Sequence, residues 1–227
     1  YEFDLMQKGG HIAGWLVDGE LKEQFIKRLQ QYEQMMAEKY KDLSEHPMYY
    51  AVGDGNHSLA TAKACYEKLK QNHQWKHVEN HLARYALVEL ENLHDDSQQF
   101  EPIHRVITGT DPQELVEALK EQCCGQNGQE IRCYYGNKEE VLHLNLHEHQ
   151  LAVDKVQTFL DKYLIENSGV VDYIHGEDVL KKLAKQENAV GIELPAMEKD
   201  QLFPSVMTEH CQERHFPWDM QVRKGIT

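Results

Sequence analysis

Met48-Tyr49-Tyr50-Ala51-Val52-Gly53-Asp54-Gly55-Asn56-His57-Ser58-Leu59 is the stretch on which the fold expectation turns. Its first five residues are strand formers, and two glycines then interrupt the run. From about His57 to Lys70 the apolar residues Leu59, Ala62, Tyr66 and Leu69 return on one helical face. The stretch predicts a strand, a glycine turn and a helix, the unit from which α/β proteins are built.

The same pattern extends outward. Upstream, Leu21, Phe25, Leu29, Tyr32 and Met36 recur at helical spacing between Gly19 and Pro47, predicting a long amphipathic helix. Downstream, residues 84–90 read as a second strand, and residues 100–107 as an extended piece broken by Pro102. Thr110-Asp111-Pro112 opens a helix through Leu115, Val116 and Leu119 that is expected to close at Gly125 to Gly128. Residues 130–135 and 141–146 flank Gly136-Asn137 as a hairpin. A helix at 154–166, a strand at 170–173, a helix at 177–185 and a strand at 189–194 complete the chain's regular pattern. Strands and helices alternate, so the class is α/β, and the hairpin argues for a mixed sheet with flanking helices.

The totals limit what such a protein does. At 227 residues and 41% hydrophobic composition the chain supplies a real core. The longest apolar runs are far below the roughly 18 residues needed to cross a bilayer, and no signal peptide opens the chain, so no membrane partner and a cytoplasmic location are expected. A formal charge of −14 repels a phosphate backbone, so nucleic acid is not an expected partner. Five cysteines, including adjacent Cys123 and Cys124, give neither a disulfide framework nor a zinc-ribbon spacing.

Two segments concentrate chemistry. In Gly53-Asp54-Gly55-Asn56-His57-Ser58 the glycines free the backbone where a helix begins, and the N–H groups there suit a phosphate. Asp54 and His57 are the candidate acid, base or nucleophile, and Ser58 a cap or ligand contact. The same residues also read as a plain Asp-Gly turn with an Asn56 cap. In Glu101-Pro102-Ile103-His104-Arg105, carboxylate, imidazole and guanidinium stand close together, and the Arg105 fork suits a phosphate or carboxylate. A buried structural role for Arg105 is the competing reading. The economical arrangement brings Asp54, His57, His104 and Arg105 to one cleft. Asp172 and His175 read as helix caps, and His143, Asn145, His147 and His149 as the solvated face of a hairpin strand, leaving any metal unassigned.

These segments, together with Tyr1-Glu2-Phe3-Asp4-Leu5-Met6, Ala83-Arg84-Tyr85-Ala86-Leu87-Val88-Glu89-Leu90 and Val171-Asp172-Tyr173-Ile174-His175-Gly176, resemble the domain-of-unknown-function 1015 family of bacterial proteins. The match runs from Tyr1 to about Val206. Many relatives carry Asp-Gly-His-His-Arg where this chain has Asp54-Gly55-Asn56-His57-Ser58. The resemblance implies a segment ahead of Tyr1, so that residues 1–206 form the domain of a fragment of a longer protein. The Asp-Gly-x-His turn is also similar to the phosphate-binding turn of the ParB and sulfiredoxin superfamily, which includes free serine kinases.

Relatives end differently. Reading the codons of residues 208–220 one nucleotide earlier permits the family ending, so residues 207–227 are expected to be a frameshifted tail, loosely packed around Phe216, Trp218 and Met220. The functional expectation is an enzyme that binds a nucleotide, with Mg, or another phosphorylated ligand and passes a phosphoryl group to a small polar metabolite. Asp54 and His57 would be catalytic; Gly53, Gly55, Asn56, Ser58, Glu101, His104 and Arg105 would bind the ligand. The alternative is a non-catalytic module that senses a small ligand in the same pocket. The sequence assigns no oligomeric state.

Overall fold

The computed structural model describes residues 1–45, 47–71, 78–208 and 221–224. The chain opens with a hairpin, β1 (Glu2–Asp4) against β2 (His11–Ala13), followed by helices α1 (Gly19–Lys39) and α2 (Asn56–Gln71). Then come β3 (Gln98–Glu101), β4 (Ile103–Thr108), α3 (Pro112–Cys123), β5 (Cys124–Tyr135) and β6 (Lys138–Leu144). They are followed by α4 (Ala152–Glu166), β7 (Val170–His175), α5 (Glu177–Leu183), β8 (Ala189–Glu193), α6 (Leu202–Thr208) and β9 (Gln221–Lys224).

Local chemistry explains several of these boundaries. Asp111 caps α3 by accepting from the N–H groups of Gln113 and Glu114, and Pro112 sits where a missing N–H costs nothing. Tyr135 pairs with Lys138 across the two-residue loop Gly136-Asn137, with a positive φ (+58°) at the first loop position only, the pattern of a II′ turn. The glycines at 125 and 128, expected to close α3, lie instead inside β5. Cys124 and Gln129 both pair with Leu144 there, so the strand bulges, and a Cβ on Gly128 would run into the Leu144 carbonyl.

Five strands form one sheet in the order β6-β5-β8-β4-β7. β4 and β5 run alike, are joined through α3 and flank β8; β7 and β8 run alike, are joined through α5 and flank β4. Two strand-helix-strand units are thus interleaved, each holding a strand of the other between its own pair. The α/β class with flanking helices stands as expected. Its ladders are antiparallel throughout rather than mixed, because every pair of like-running strands is separated by one of opposite sense.

Side chains alternate across this sheet. Ile107, Ile131, Leu142 and Ile192 face α3 and α4, whose Leu119 and Leu160 help complete the main core. Each such buried side chain contributes about 1.5–3 kcal/mol. Val106 and Tyr134 point the other way, under Leu180 and Ala184 at α5. There the helix comes close enough that a Cβ on Gly191 would lie 3.0 Å from the Ala184 Cβ.

The first part of the chain is built differently. α1 forms as expected, but of its apolar stripe only Met36 is buried, and Leu21 and Phe25 are exposed. Its end is anchored by a small cluster in which Tyr40 stacks on Phe203 of α6 at 6.4 Å between ring centroids. The expected strand at 48–52 has no ladder, and the one expected at 84–90 is a 3-10 turn (Leu82–Arg84) followed by unladdered chain. Strand preference is a preference for a pleated surface with a neighbour and a face to bury, and among the described residues neither segment has them.

β3 ends at Pro102, as the break there predicted, and pairs antiparallel with β9. Phe216, Trp218 and Met220, on which the expected looseness of the tail rests, lie outside the described residues.

Candidate functional site

The glycine turn does precede a helix. Gly55 adopts φ +79°, a conformation that favours glycine, and its carbonyl accepts the first α2 hydrogen bond, from the Leu59 N–H at 2.9 Å. Asp54 turns back on the loop, its Oδ1 accepting from the Gly55 N–H at 2.7 Å. Gly53, Asp54, Gly55, His57 and Ser58 are exposed and Asn56 is half-buried. The first turn of α2 carries no acidic residue, so the partial positive charge of its N–H groups is not offset from within that turn.

The second segment divides. His104 and Arg105 are neighbours in β4, so their side chains leave opposite faces of the sheet. Arg105 is fully buried on the side of α4: its Nε donates to Gln157 Oε1 at 2.8 Å, one terminal nitrogen donates to the Ile103 carbonyl at 2.7 Å, and the guanidinium lies 4.5 Å from the Tyr173 ring centroid. That cation-over-ring contact and the fixed hydrogen bonds give it a structural position. His104, also buried, accepts at Nδ1 from the Leu194 N–H at 3.1 Å, which places the proton of the neutral ring on Nε2. Burial pushes its pKa down, against the pull of Glu193 and Glu177. Glu101 is half-buried at the end of β3.

The expected single cleft lined by Asp54, His57, His104 and Arg105 is therefore corrected on one point: the sheet stands between the last two. The period-two alternation of a strand already carries that signal. The capping roles expected of Asp172 and His175 are also corrected, since Gly176 is the N-cap of α5 and no side chain caps it. The His175 Nδ1 atom is buried without a hydrogen-bond partner. The His143, Asn145, His147, His149 alternation breaks where β6 ends at Leu144, and no metal-binding group of three or more His, Cys, Asp or Glu occurs among the described residues.

On the His104 side, the sheet beyond the reach of the seven-residue α5 is open. A basin of about 440 Å³ lies there, bounded by Glu130, Arg132, Glu177, Glu193 and Pro195. Arg132 bridges Glu130 (2.9 Å) and Glu139 (3.1 Å), Lys181 pairs with Glu177, and Tyr134 donates to Glu193 at 2.5 Å. Burial, and then that hydrogen bond, push Tyr134 up to about 12. The sequence reading missed this surface because its residues come from three strands and a helix; only the alternation of Glu130, Arg132 and Tyr134 hints at it.

Comparison with known proteins adds one finding. The family model described as "Protein of unknown function (DUF1015)" matches residues 1–163. No curated protein and no solved structure matches the chain.

Proposed function

The chain belongs to the DUF1015 family of proteins of unknown function, and from that premise we propose that it binds a nucleotide or another phosphorylated small molecule at the start of α2 and transfers a phosphoryl group to a small polar metabolite. The observation that carries this reading is the exposed N-terminus of a 16-residue helix behind a glycine in the left-handed region, with no acidic side chain in its first turn. Backbone N–H groups at such a point hold phosphate without further help. Gly53, Gly55 and Asn56 form the cradle, and Ser58 adds a hydroxyl donor. Asp54 would be the carboxylate that holds Mg if the nucleotide brings it. His57 takes the proton of the attacking hydroxyl as the new P–O bond forms and the nucleoside diphosphate leaves. Arg105, buried against Gln157 and Tyr173, takes no part in this site.

The sensing alternative keeps the same cradle without the chemistry. What favours it is the burial of Arg105, the cation expected to neutralise charge in a phosphoryl transfer. Titration of the full chain with ATP and Mg, and separately with inorganic phosphate, separates the readings when followed by turnover. The catalytic reading expects His57→Ala to abolish turnover with nucleotide affinity kept within a few-fold. ATP binding without turnover in the unsubstituted chain supports sensing. No shift in melting temperature with either ligand at millimolar concentration removes the phosphate site altogether.

A further inference from the structure

Between the end of β8 and the short turn at Lys199–Gln201 the chain runs through Leu194-Pro195-Ala196-Met197. Pro195 has no N–H to donate, and among the described residues this stretch makes one backbone hydrogen bond, from the Leu194 N–H to His104 Nδ1 at 3.1 Å. The β4–β8 ladder stops one step earlier, with Arg105 opposite Ile192, so the His104 ring is the last tie between the two strands at that end. Leu194 and Met197 are buried, and with Pro102, Ile103 and Leu151 they line a small cavity at the start of α4.

That bond has a chemical condition. A ring nitrogen accepts only while it carries no proton, and an imidazolium has donors on both nitrogens, so no orientation of a protonated ring holds the Leu194 N–H. We propose that His104 is a pH-operated latch: neutral, it ties residues 194–197 to β4; protonated, it lets them go and turns to Glu193. Glu193 follows Ile192 and His104 precedes Arg105, so the two stand side by side on one face of the sheet. Glu193 Oε2 accepts from Tyr134, whereas its Oε1 accepts from no described residue. Glu193, and after it Glu177 of α5, favour the charged ring; Arg105 on its own strand and His175 on β7 oppose it. Arg132 of β5 lies opposite Glu193, and Asp172 of β7 opposite Val106, two residues along from His104. Burial keeps the latched ring neutral and release returns it to water, so acid favours release, below about pH 6.5. The stretch set free leads to α6, whose Phe203 stacks on Tyr40 just beyond α1. The latch thus sits on a connection between the sheet and the first part of the chain.

The test is hydrogen–deuterium exchange of the full chain by mass spectrometry from about pH 8 to about pH 5, corrected for the pH dependence of chemical exchange, with the His104 ring nitrogens followed by NMR. Peptides covering residues 194–201 should lose protection on the order of tenfold as pH falls, with the midpoint of the His104 titration, while those covering 130–135 keep theirs. His104→Gln supplies an acceptor oxygen that does not titrate and should hold the protection at about pH 5. His104→Leu supplies none and should leave the stretch exchanging at about pH 8 as the unsubstituted chain does at about pH 5; if that variant does not fold, the Gln variant carries the comparison. Glu193→Gln removes the attracting charge and should move the midpoint to lower pH. Protection of 194–201 that stays unchanged while His104 titrates overturns the proposal. So does a loss of protection that His104→Gln does not prevent, or a ring that remains neutral down to about pH 5.

Discussion

Between residues 103 and 194, strands and helices enclose each other's apolar faces: Ile107, Leu119, Leu144, Leu160 and Ile192 have no exposed surface. Between residues 1 and 90, side chains of the same kind stand in solvent, with Trp15 at 80% and Leu16 at 88% exposed and Leu21 and Phe25 at the start of the α1 stripe uncovered. Both regions carry the apolar periodicity that predicts helices and strands. The difference is the number of layers. In the later region two helices close one face of a five-stranded sheet and a third closes part of the other; in the earlier region the described contacts of α1 lie along its second half, from Tyr32 and Glu33 against Tyr49 and Tyr50 to Met36 in the cluster of Tyr40 and Phe203. Amphipathic pattern makes an element available, and a second layer makes it stable.

The largest expected effect tests that contrast directly. Leu160→Ala should cost about 2–5 kcal/mol in urea unfolding, whereas Leu16→Ala should stay within about 0.5 kcal/mol. Equal losses would mean that residues 1–90 pack in solution against something the isolated chain does not show. Arg105→Ala should cost on the order of 1–3 kcal/mol by leaving Gln157 and the Ile103 carbonyl without their donor. Arg105→Lys should not rescue it, because an ammonium reproduces neither the fork nor the stacking on Tyr173. If Arg105→Ala instead leaves stability unchanged and weakens phosphate binding, the structural assignment of this residue is wrong.

The smallest effect is a slope. Burial lowers the folded-state pKa of His104 below the roughly 6.5 of an exposed histidine. Below about pH 6.5 the unfolded chain takes up a proton that the folded chain resists, so the contribution of His104 is fully present above that pH and is lost as pH falls through the folded value. His104→Gln should flatten the decline in melting temperature between pH 6.5 and 5. A decline of unchanged slope would show that other groups carry it.

Where the signal was local, the sequence was legible. The Asp111-Pro112 start of α3 and the Gly136-Asn137 turn depend on hydrogen bonds and dihedrals within a few residues, and both are where the sequence put them. The glycine turn ahead of α2 was equally readable. The opposed directions of His104 and Arg105 were legible too, through strand alternation, yet grouping them by chemistry obscured it.

By itself, then, the sequence determined helices α1 to α5, the hairpin at Gly136-Asn137, the turn at Gly53 to Ser58 and the alternation that gives the sheet two faces, because each is a property of neighbouring residues. Only the tertiary structure decided which strand-forming segments became strands. Residues 103–108 and 189–193 found each other across the chain, while 48–52 and 84–90, equally rich in strand formers, did not. It also decided that Arg105 is enclosed rather than offered to a ligand, and that Glu130, Arg132, Glu177 and Glu193 meet around one basin. A ladder and a buried face are made by residues far apart in the chain, and nothing in a short stretch records whether the partner will be there.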